Sequence, residues 1–196
     1  MDNPVHNRVK LDLKKHNLGH LENKRMIDLT DEEIEQLMDA AASDDIALSL
    51  GIPWTRVNVR KALDEGQCEN CGRCCNPNPN RPGSPGVEVF EAELDAISAA
   101  SHIPMEKLLK MTTKGADAQS GPNTREPTRW LPLPCPFRNR AEQRCEIHQS
   151  NPVVCRLYPF SMSGDILAVH VDCAYGKDVF RNMIKELKLK SWDSVP

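Results

Sequence analysis

The pattern of apolar and polar positions predicts five short helices. In each stretch the apolar residues recur three or four positions apart, which places them on one face of a helix. Thr30 and Glu33 open the first stretch with the spacing of a capping box. The five predicted helices cover residues 29–41, 58–66, 91–101, 104–111 and 178–190.

Patterns typical of strands are shorter and fewer. The sequence RVKLDLK, from Arg8 to Lys14, alternates apolar and charged residues as an exposed strand does, and VEVF at 87–90 is a second candidate. Residues 158–171 predict a hairpin that turns at 163–165. This combination of short helices and short strands indicates an α+β fold.

Proline and glycine divide the chain. The segment NPNPNRPGSPG at 76–86 contains too much of both for regular structure and predicts an exposed loop. Three parts result. Residues 1–66 form a mostly helical N-terminal extension, residues 67–176 form a cysteine-rich domain, and residues 177–196 form a C-terminal amphipathic helix that packs on that domain.

The net charge and the distribution of apolar residues exclude some classes of function. A net charge of −3 argues against nucleic-acid binding, which usually requires a basic excess. The polar N-terminal sequence MDNPVHNRVKLDLKKHNLGH offers no apolar run for a membrane span or secretion signal, so we expect a cytoplasmic protein with no membrane partner. A protein partner that binds through residues 1–66 is the interaction we expect.

Eight cysteines in 196 residues are well above ordinary usage. Cys68, Cys71 and Cys74 stand at positions i, i+3 and i+6, a spacing that lets three thiolates converge in a tight loop. A C-x2-C-x2-C run with a remote Cys-Pro pair is a common support for a cubane cluster, and Cys135 precedes Pro136. The spacing therefore favours a [4Fe-4S] cluster as the cofactor.

The remaining cysteines leave their partition open. Cys75 directly follows Cys74, and adjacent side chains usually point in different directions, so Cys75 either ligates a second site or packs behind the first. With Cys145, Cys155 and Cys173, the chain has enough thiols for two four-thiolate sites, or for one cluster and spare cysteines. Zinc is the alternative metal, and disulfides or unligated thiols are the third reading.

Two separated segments, CENCGRCC at 68–75 and CPFRNRAEQRCEIHQSNPVVCRLYPF at 135–160, together resemble the CxxCxxCC family of zinc- or iron-chelating domains. Flagellin lysine N-methylases carry a similar module. The resemblance covers residues 65–175 and implies a small metal-centred α+β domain with short helices and one β-hairpin. The metal ligands that it implies are Cys68, Cys71, Cys74, Cys75, Cys135, Cys145, Cys155 and Cys173.

Two further side chains are candidates near the metal. Arg156 directly follows a predicted ligand, and its guanidinium would offset the charge of a thiolate cluster or bind an anionic partner. The alternative interpretation is that Arg156 only forms a salt bridge on the surface. His148 stands where the family often has an aromatic residue, and we interpret it as a polar surface residue rather than as a ligand.

These features predict a metal-binding protein that holds an iron–sulfur centre in a structural, redox or cluster-handling role. One alternative is a zinc-stabilised interaction module. The other is an enzyme that modifies a protein or peptide, as the resemblance to the methylases implies. Against the enzyme, the sequence contains neither a glycine-rich nucleotide loop nor the C-x3-C-x2-C spacing of radical enzymes.

Overall fold

The computed structural model describes residues 11–66, 68–78, 83, 85–121 and 124–189. Its helices are α1 (Asp31–Asp44), α2 (Arg56–Leu63), α3 (Leu94–Ser101), α4 (Met105–Met111), α5 (Val153–Leu157) and α6 (Ala174–Lys188). Its strands are β1 (Ala47–Pro53), β2 (Val87–Phe90), β3 (Thr113–Lys114), β4 (Ala118–Gly121), β5 (Thr124–Glu126), β6 (Thr128–Leu131), β7 (Arg138–Asn139), β8 (Arg144–Cys145), β9 (Phe160–Ser163) and β10 (Ile166–His170). The α+β fold class is confirmed.

The chain divides into two compact units. The first unit combines residues 1–69 with residues 159–196, and the second unit is the continuous segment 70–158. The cysteine-rich region predicted at 67–176 therefore contributes residues to both units. The predicted hairpin forms from β9 and β10, which belong to the first unit.

A three-stranded antiparallel sheet forms the centre of the first unit. Its order is β1-β10-β9, with Leu48 opposite Val169 and Leu167 opposite Met162. Helix α1 contacts β1, and α6 contacts β10 and α2. The apolar faces of these elements close one core, whose fully buried side chains include Leu37, Met38, Leu48, Leu167, Phe180 and Met183.

Helix α6 lies directly on the backbone of β10. A Cβ atom at Gly176 would lie 1.9 Å from the carbonyl oxygen of His170, so only glycine permits this approach. The apolar residues Val179, Phe180 and Ile184 follow at helical spacing and are buried. The predicted C-terminal amphipathic helix therefore forms, and it starts at Ala174 rather than at Lys177.

Ion pairs join the outer faces of α1 and α6. Arg181 Nη2 donates to Glu35 Oε2 at 2.8 Å, and Lys177 Nζ donates to Asp39 Oδ1 at 2.5 Å. The hydrogen bond from Arg181 lowers the pKa of Glu35 below its ordinary value of 4.5. The pair therefore stays charged at neutral pH, with its carboxylate ionised.

The second unit has a separate, smaller core. Strands β2, β6 and β3 form an antiparallel sheet with β6 in the middle, and α3 packs against α4. The buried cluster consists of Val89, Leu94, Ile97, Leu108, Leu131, Phe137 and Ile147. Cys135 and Cys145 pack against it, so two thiols belong to the edge of this core.

Two local expectations differ from the observed structure. Residues 47–53, within the extension expected to be mostly helical, form strand β1. Leu11 to Lys14 do not form the predicted strand, because Asp12 Oδ1 accepts hydrogen bonds from the amides of Lys14 and Lys15 and closes a turn. Arg8, Val9 and Lys10 lie outside the described residues. Within the described part of the chain, no helix has the length and apolar character needed to cross a membrane.

Candidate metal centre

The cysteine motif forms a tight loop at the start of the second unit. Gly72 has a φ of 76°, a left-handed conformation that glycine adopts at little cost, and it opens a short 3-10 turn at Arg73–Cys75. The amide of Cys75 donates to the carbonyl oxygen of Gly72 at 3.0 Å. The side chain of Asn76 donates to the same carbonyl at 2.7 Å. These bonds fix Cys74 and Cys75 within one rigid turn.

A backbone hydrogen bond connects this turn to the next cysteine. The amide of Cys135 donates to the carbonyl oxygen of Cys75 at 2.7 Å. The chain then forms the β7–β8 ribbon, in which Arg138 pairs with Cys145. Cys75, Cys135 and Cys145 are therefore neighbours in the fold, although Cys75 and Cys145 lie 70 positions apart in the sequence.

Buried apolar residues anchor two of these thiols. Phe137 and Ile147 each stand two positions after a cysteine, and both are 2% exposed in the core of the second unit. The backbone amide of Phe137 hydrogen-bonds to the thiol of Cys135, and that of Ile147 hydrogen-bonds to the thiol of Cys145. Amide donors of this kind stabilise negative charge on sulfur, as metal-bound thiolates require.

The fourth thiol comes from helix α5. The amide of Val153, at the first turn of α5, donates to Glu93 Oε1 at 2.7 Å and ties the helix to the segment before α3. The helix also contacts β2. Cys155 is half-buried on this short helix. Its position depends on tertiary contacts, because five residues are too few for a stable isolated helix.

Cys75, Cys135, Cys145 and Cys155 form what we name the four-thiol group. Hydrogen bonds from Cys135 and Cys74 lower the pKa of Cys75, with a further contribution from the charge of Arg138. The same hydrogen bond to Cys75 and then burial raise the pKa of Cys135. The result is one thiolate that accepts hydrogen bonds from neighbouring thiols.

Burial acts on the other two members. It raises the pKa of Cys155 to about 12, with the charges of Cys75 and Cys145 adding to the effect. Burial also raises the pKa of Cys145, again with a contribution from Cys75. These thiols stay protonated at neutral pH until a cation compensates their charge.

The other four predicted ligands lie in different surroundings. Cys74 is exposed, with its sulfur 4.0 Å from that of Cys75, and Cys71 is exposed on the same loop. Cys68 and Cys173 belong to the first unit, where burial and then both of their charges raise the pKa of Tyr175. All eight cysteines lie in the described part of the chain, and none of them forms a disulfide.

Cys173 also has a structural role in the first unit. It is buried and precedes α6, and its sulfur accepts a hydrogen bond from the amide of Gly176 at 3.4 Å. It therefore caps the helix in the way that serine or threonine usually does.

The two further candidates have distinct environments. Arg156 Nη1 donates to the carbonyl oxygen of Asn151 at 2.9 Å, and its charge acts to lower the pKa of Cys155. His148 is exposed and starts the 3-10 turn His148–Ser150. A role for either residue at a metal stays a prediction.

Sequence reasoning missed Arg138. Its guanidinium donates to the carbonyl oxygen of Asn70 in the cysteine loop and, at 2.8 Å, to Gln143 Oε1. Its charge also acts on Cys75 and Cys145. The available signal was its place three residues after Cys135, in CPFR.

The donor set fits a thiophilic metal in its chemistry. Four cysteine sulfurs are the ligands of structural zinc sites and of iron–sulfur clusters. Among the described residues, no three histidine, cysteine, aspartate or glutamate side chains are arranged closely enough to hold one metal ion. Coordination of a single ion would therefore require changes of side-chain rotamer in the four-thiol group.

Comparison with known proteins gives one match. The family model CxxCxxCC, described as a "putative zinc- or iron-chelating domain", matches residues 67–174, more than half of the 196-residue chain. No curated protein and no solved structure matches the chain significantly. Because this match covers more than half of the chain, the chain belongs to the CxxCxxCC family.

Proposed function

We propose that this protein holds a [4Fe-4S] cluster through Cys75, Cys135, Cys145 and Cys155, in a structural, redox or cluster-handling role. The observation that supports it is the hydrogen bond that the amide of Cys135 donates to the carbonyl oxygen of Cys75, with Cys145 and Cys155 close enough for the charge of Cys75 to act on both. Thiols that lie close together supply the soft ligands that iron–sulfur clusters and zinc bind.

The arrangement of the described side chains is more open than that of a single-ion site. In a tetrahedral zinc site each sulfur lies about 2.3 Å from the metal, so the sulfurs lie about 3.8 Å from one another. No three candidate side chains among the described residues reach such an arrangement. A cluster of several irons spreads its four cysteines further apart and accommodates a more open group.

Zinc is the second candidate, and one contact favours it. The sulfur of Cys75 lies 4.0 Å from that of Cys74 and is hydrogen-bonded to that of Cys135, which approaches the spacing of a single-ion site. After changes of side-chain rotamer, a zinc centre that includes these three thiols would stabilise the fold of the second unit. Such a centre would supply no redox chemistry.

Anaerobic purification tests the proposal directly. We expect brown protein with a broad visible absorption band that bleaches on reduction, and about four irons and four sulfides per chain. The double variant Cys135→Ser/Cys155→Ser is the control, because it removes half of the four-thiol group, and it should be colourless. Colourless wild-type protein with one zinc per chain and no iron would replace the cluster with the zinc site. Anaerobic protein without either metal would overturn both.

The metal content is informative only if the protein is kept free of oxygen. Oxygen degrades exposed clusters, and zinc binds vacated thiolates well. Cys71 and Cys74 are exposed, which gives oxidants access to the edge of the site. Metal content must therefore be measured on protein that has not been exposed to air.

A further inference from the structure

We propose that Arg138 is a positioning residue of the metal centre, which clamps the cysteine loop to the later cysteine segments and places a fixed positive charge beside the thiolates. The inference rests on the proposed function, since it concerns the same site. It adds a residue that neither the cysteine pattern nor the family description assigns.

The side chain of Arg138 holds the loop. Its Nη2 group donates both to the carbonyl oxygen of Asn70 and to the side chain of Gln143. The backbone of Gly72 packs against the guanidinium, because a Cβ atom there would lie 3.0 Å from Nε. The loop therefore folds around this side chain, and a residue larger than glycine at position 72 would displace it.

The main chain of Arg138 holds the other two segments. Its amide donates to the carbonyl oxygen of Cys135 at 3.3 Å. In the β7–β8 ribbon it stands directly opposite Cys145. Arg138 lies on the segment of Cys135 and thus contacts the two segments that carry Cys75 and Cys145.

The charge of the guanidinium matters for a bound metal. Four thiolates around a zinc ion, or around an oxidised cubane cluster, carry a net charge of about −2, which is costly in a half-buried site. Arg138 lies opposite Cys145 in the β7–β8 ribbon and contacts the loop that leads to Cys75, and Arg156 directly follows Cys155 in α5. The two arginines approach different members of the four-thiol group and together offset this charge.

Three variants separate the clamp from the charge. Arg138→Met removes both, and Arg138→Lys keeps the charge but loses the two-sided hydrogen bonding. Gln143→Ala removes one acceptor of Arg138, together with the hydrogen bond that Gln143 donates to the carbonyl oxygen of Arg140. Arg140→Met is the matched control, since Arg140 is an exposed arginine of the same ribbon whose described hydrogen bond uses its backbone carbonyl.

Two quantities are measured on anaerobic protein: the loss of metal to a competing chelator and the reduction midpoint potential. We expect Arg138→Met to weaken metal binding about 10- to 100-fold, as outer-shell changes typically do, and to lower the midpoint potential, since reduction adds negative charge. Arg138→Lys should keep the wild-type potential yet lose metal faster. Gln143→Ala should weaken binding less than Arg138→Met.

The outcomes distinguish this inference from the proposed function. If wild-type protein holds a cluster and Arg138→Met matches Arg140→Met in both measurements, the role of Arg138 is overturned while the cluster stands. A loss of melting temperature in Arg138→Met and Arg138→Lys alike, with unchanged potential and affinity, would also overturn it. If the wild type holds zinc, only the chelator competition tests the role of Arg138. Weaker zinc binding in Arg138→Met that Arg138→Lys partly restores would support the role, and equal binding in Arg138→Met and Arg140→Met would overturn it.

Discussion

At the level of single residues, Cys74 and Cys75 differ although they are adjacent. Cys75 is half-buried and hydrogen-bonded to Cys135, whereas Cys74 is exposed. The 3-10 turn explains the difference, because consecutive side chains on a turn with three residues per rotation point in directions about 120° apart. Only one of the two can face Cys135.

Replacement of a thiol in the four-thiol group should remove metal and stability together. Cys155→Ser should lose most of the bound metal and lower the melting temperature by about 5–10 °C, because ligand loss removes binding energy that is also folding energy. Ser163→Ala, at an exposed position of β9 in the first unit, is the control and should change the melting temperature by less than about 2 °C. Metal analysis with thermal unfolding checks both, and full metal content in Cys155→Ser would exclude Cys155 as a ligand.

At the level of elements, α4 illustrates how little of a short helix determines its position. Leu108 is completely buried in the core of the second unit, while the adjacent Leu109 is 38% exposed. The helix has seven residues, so it depends on the packing of this one buried face.

The adjacent leucines of α4 offer a paired test of this packing. Leu108→Ala should destabilise the protein by about 2–5 kcal/mol, because it removes buried methyl groups and leaves a cavity. Leu109→Ala should cost less than about 1 kcal/mol, since the side chain is partly in water. Denaturant unfolding of both variants measures the difference. Equal effects would show that α4 is not anchored through Leu108.

Local patterns predicted α1, α2, α3, α4 and α6, but they missed α5 and most of the strands, and they did not show which elements pair. These helices were predictable because each has one apolar face, and the capping box of Thr30 and Glu33 forms as its spacing implies. Strand β1 was missed although Leu48, Leu50 and Ile52 alternate with Ser49 and Gly51, because the stretch is short, includes glycine and proline, and pairs with β10 far along the chain. Cysteine spacing likewise identified the candidate thiols but could not show which of them converge, because that depends on the long-range bond from Cys135 to Cys75. Arg138 was one of 25 lysines and arginines, and its one local signal was its place three residues after Cys135.

At the level of the whole molecule, the two units differ in what stabilises them. The first unit has a central sheet covered by helices of 14 and 15 residues. The second unit has a seven-residue buried cluster with two thiols packed against it, and its strands are two to four residues long. A core of that size usually needs a metal or other cross-link to fold stably.

Metal removal should therefore affect the second unit selectively. After chelation under reducing conditions, backbone amides of β2, β6 and β7 should exchange with solvent much faster, while those of α1, α6 and β10 keep their protection. Hydrogen exchange with mass spectrometry measures both sets in one sample. Unchanged exchange in residues 85–121 and 124–158 after complete metal loss would show that the second unit folds without metal.

The discontinuity of the first unit has a consequence for synthesis on the ribosome. Strand β1 pairs with β10, and roughly 110 residues of nascent chain must be made between them. At about 5–20 residues per second, β1 waits roughly 5–20 s for its partner with an unpaired apolar edge. The continuous segment 70–158 emerges entirely within that interval. The order of translation thus allows the second unit to fold and bind metal before the first unit is complete. If metal is scarce, the second unit stays unfolded while β1 is still unpaired, and both parts of the nascent chain are then open to chaperone binding.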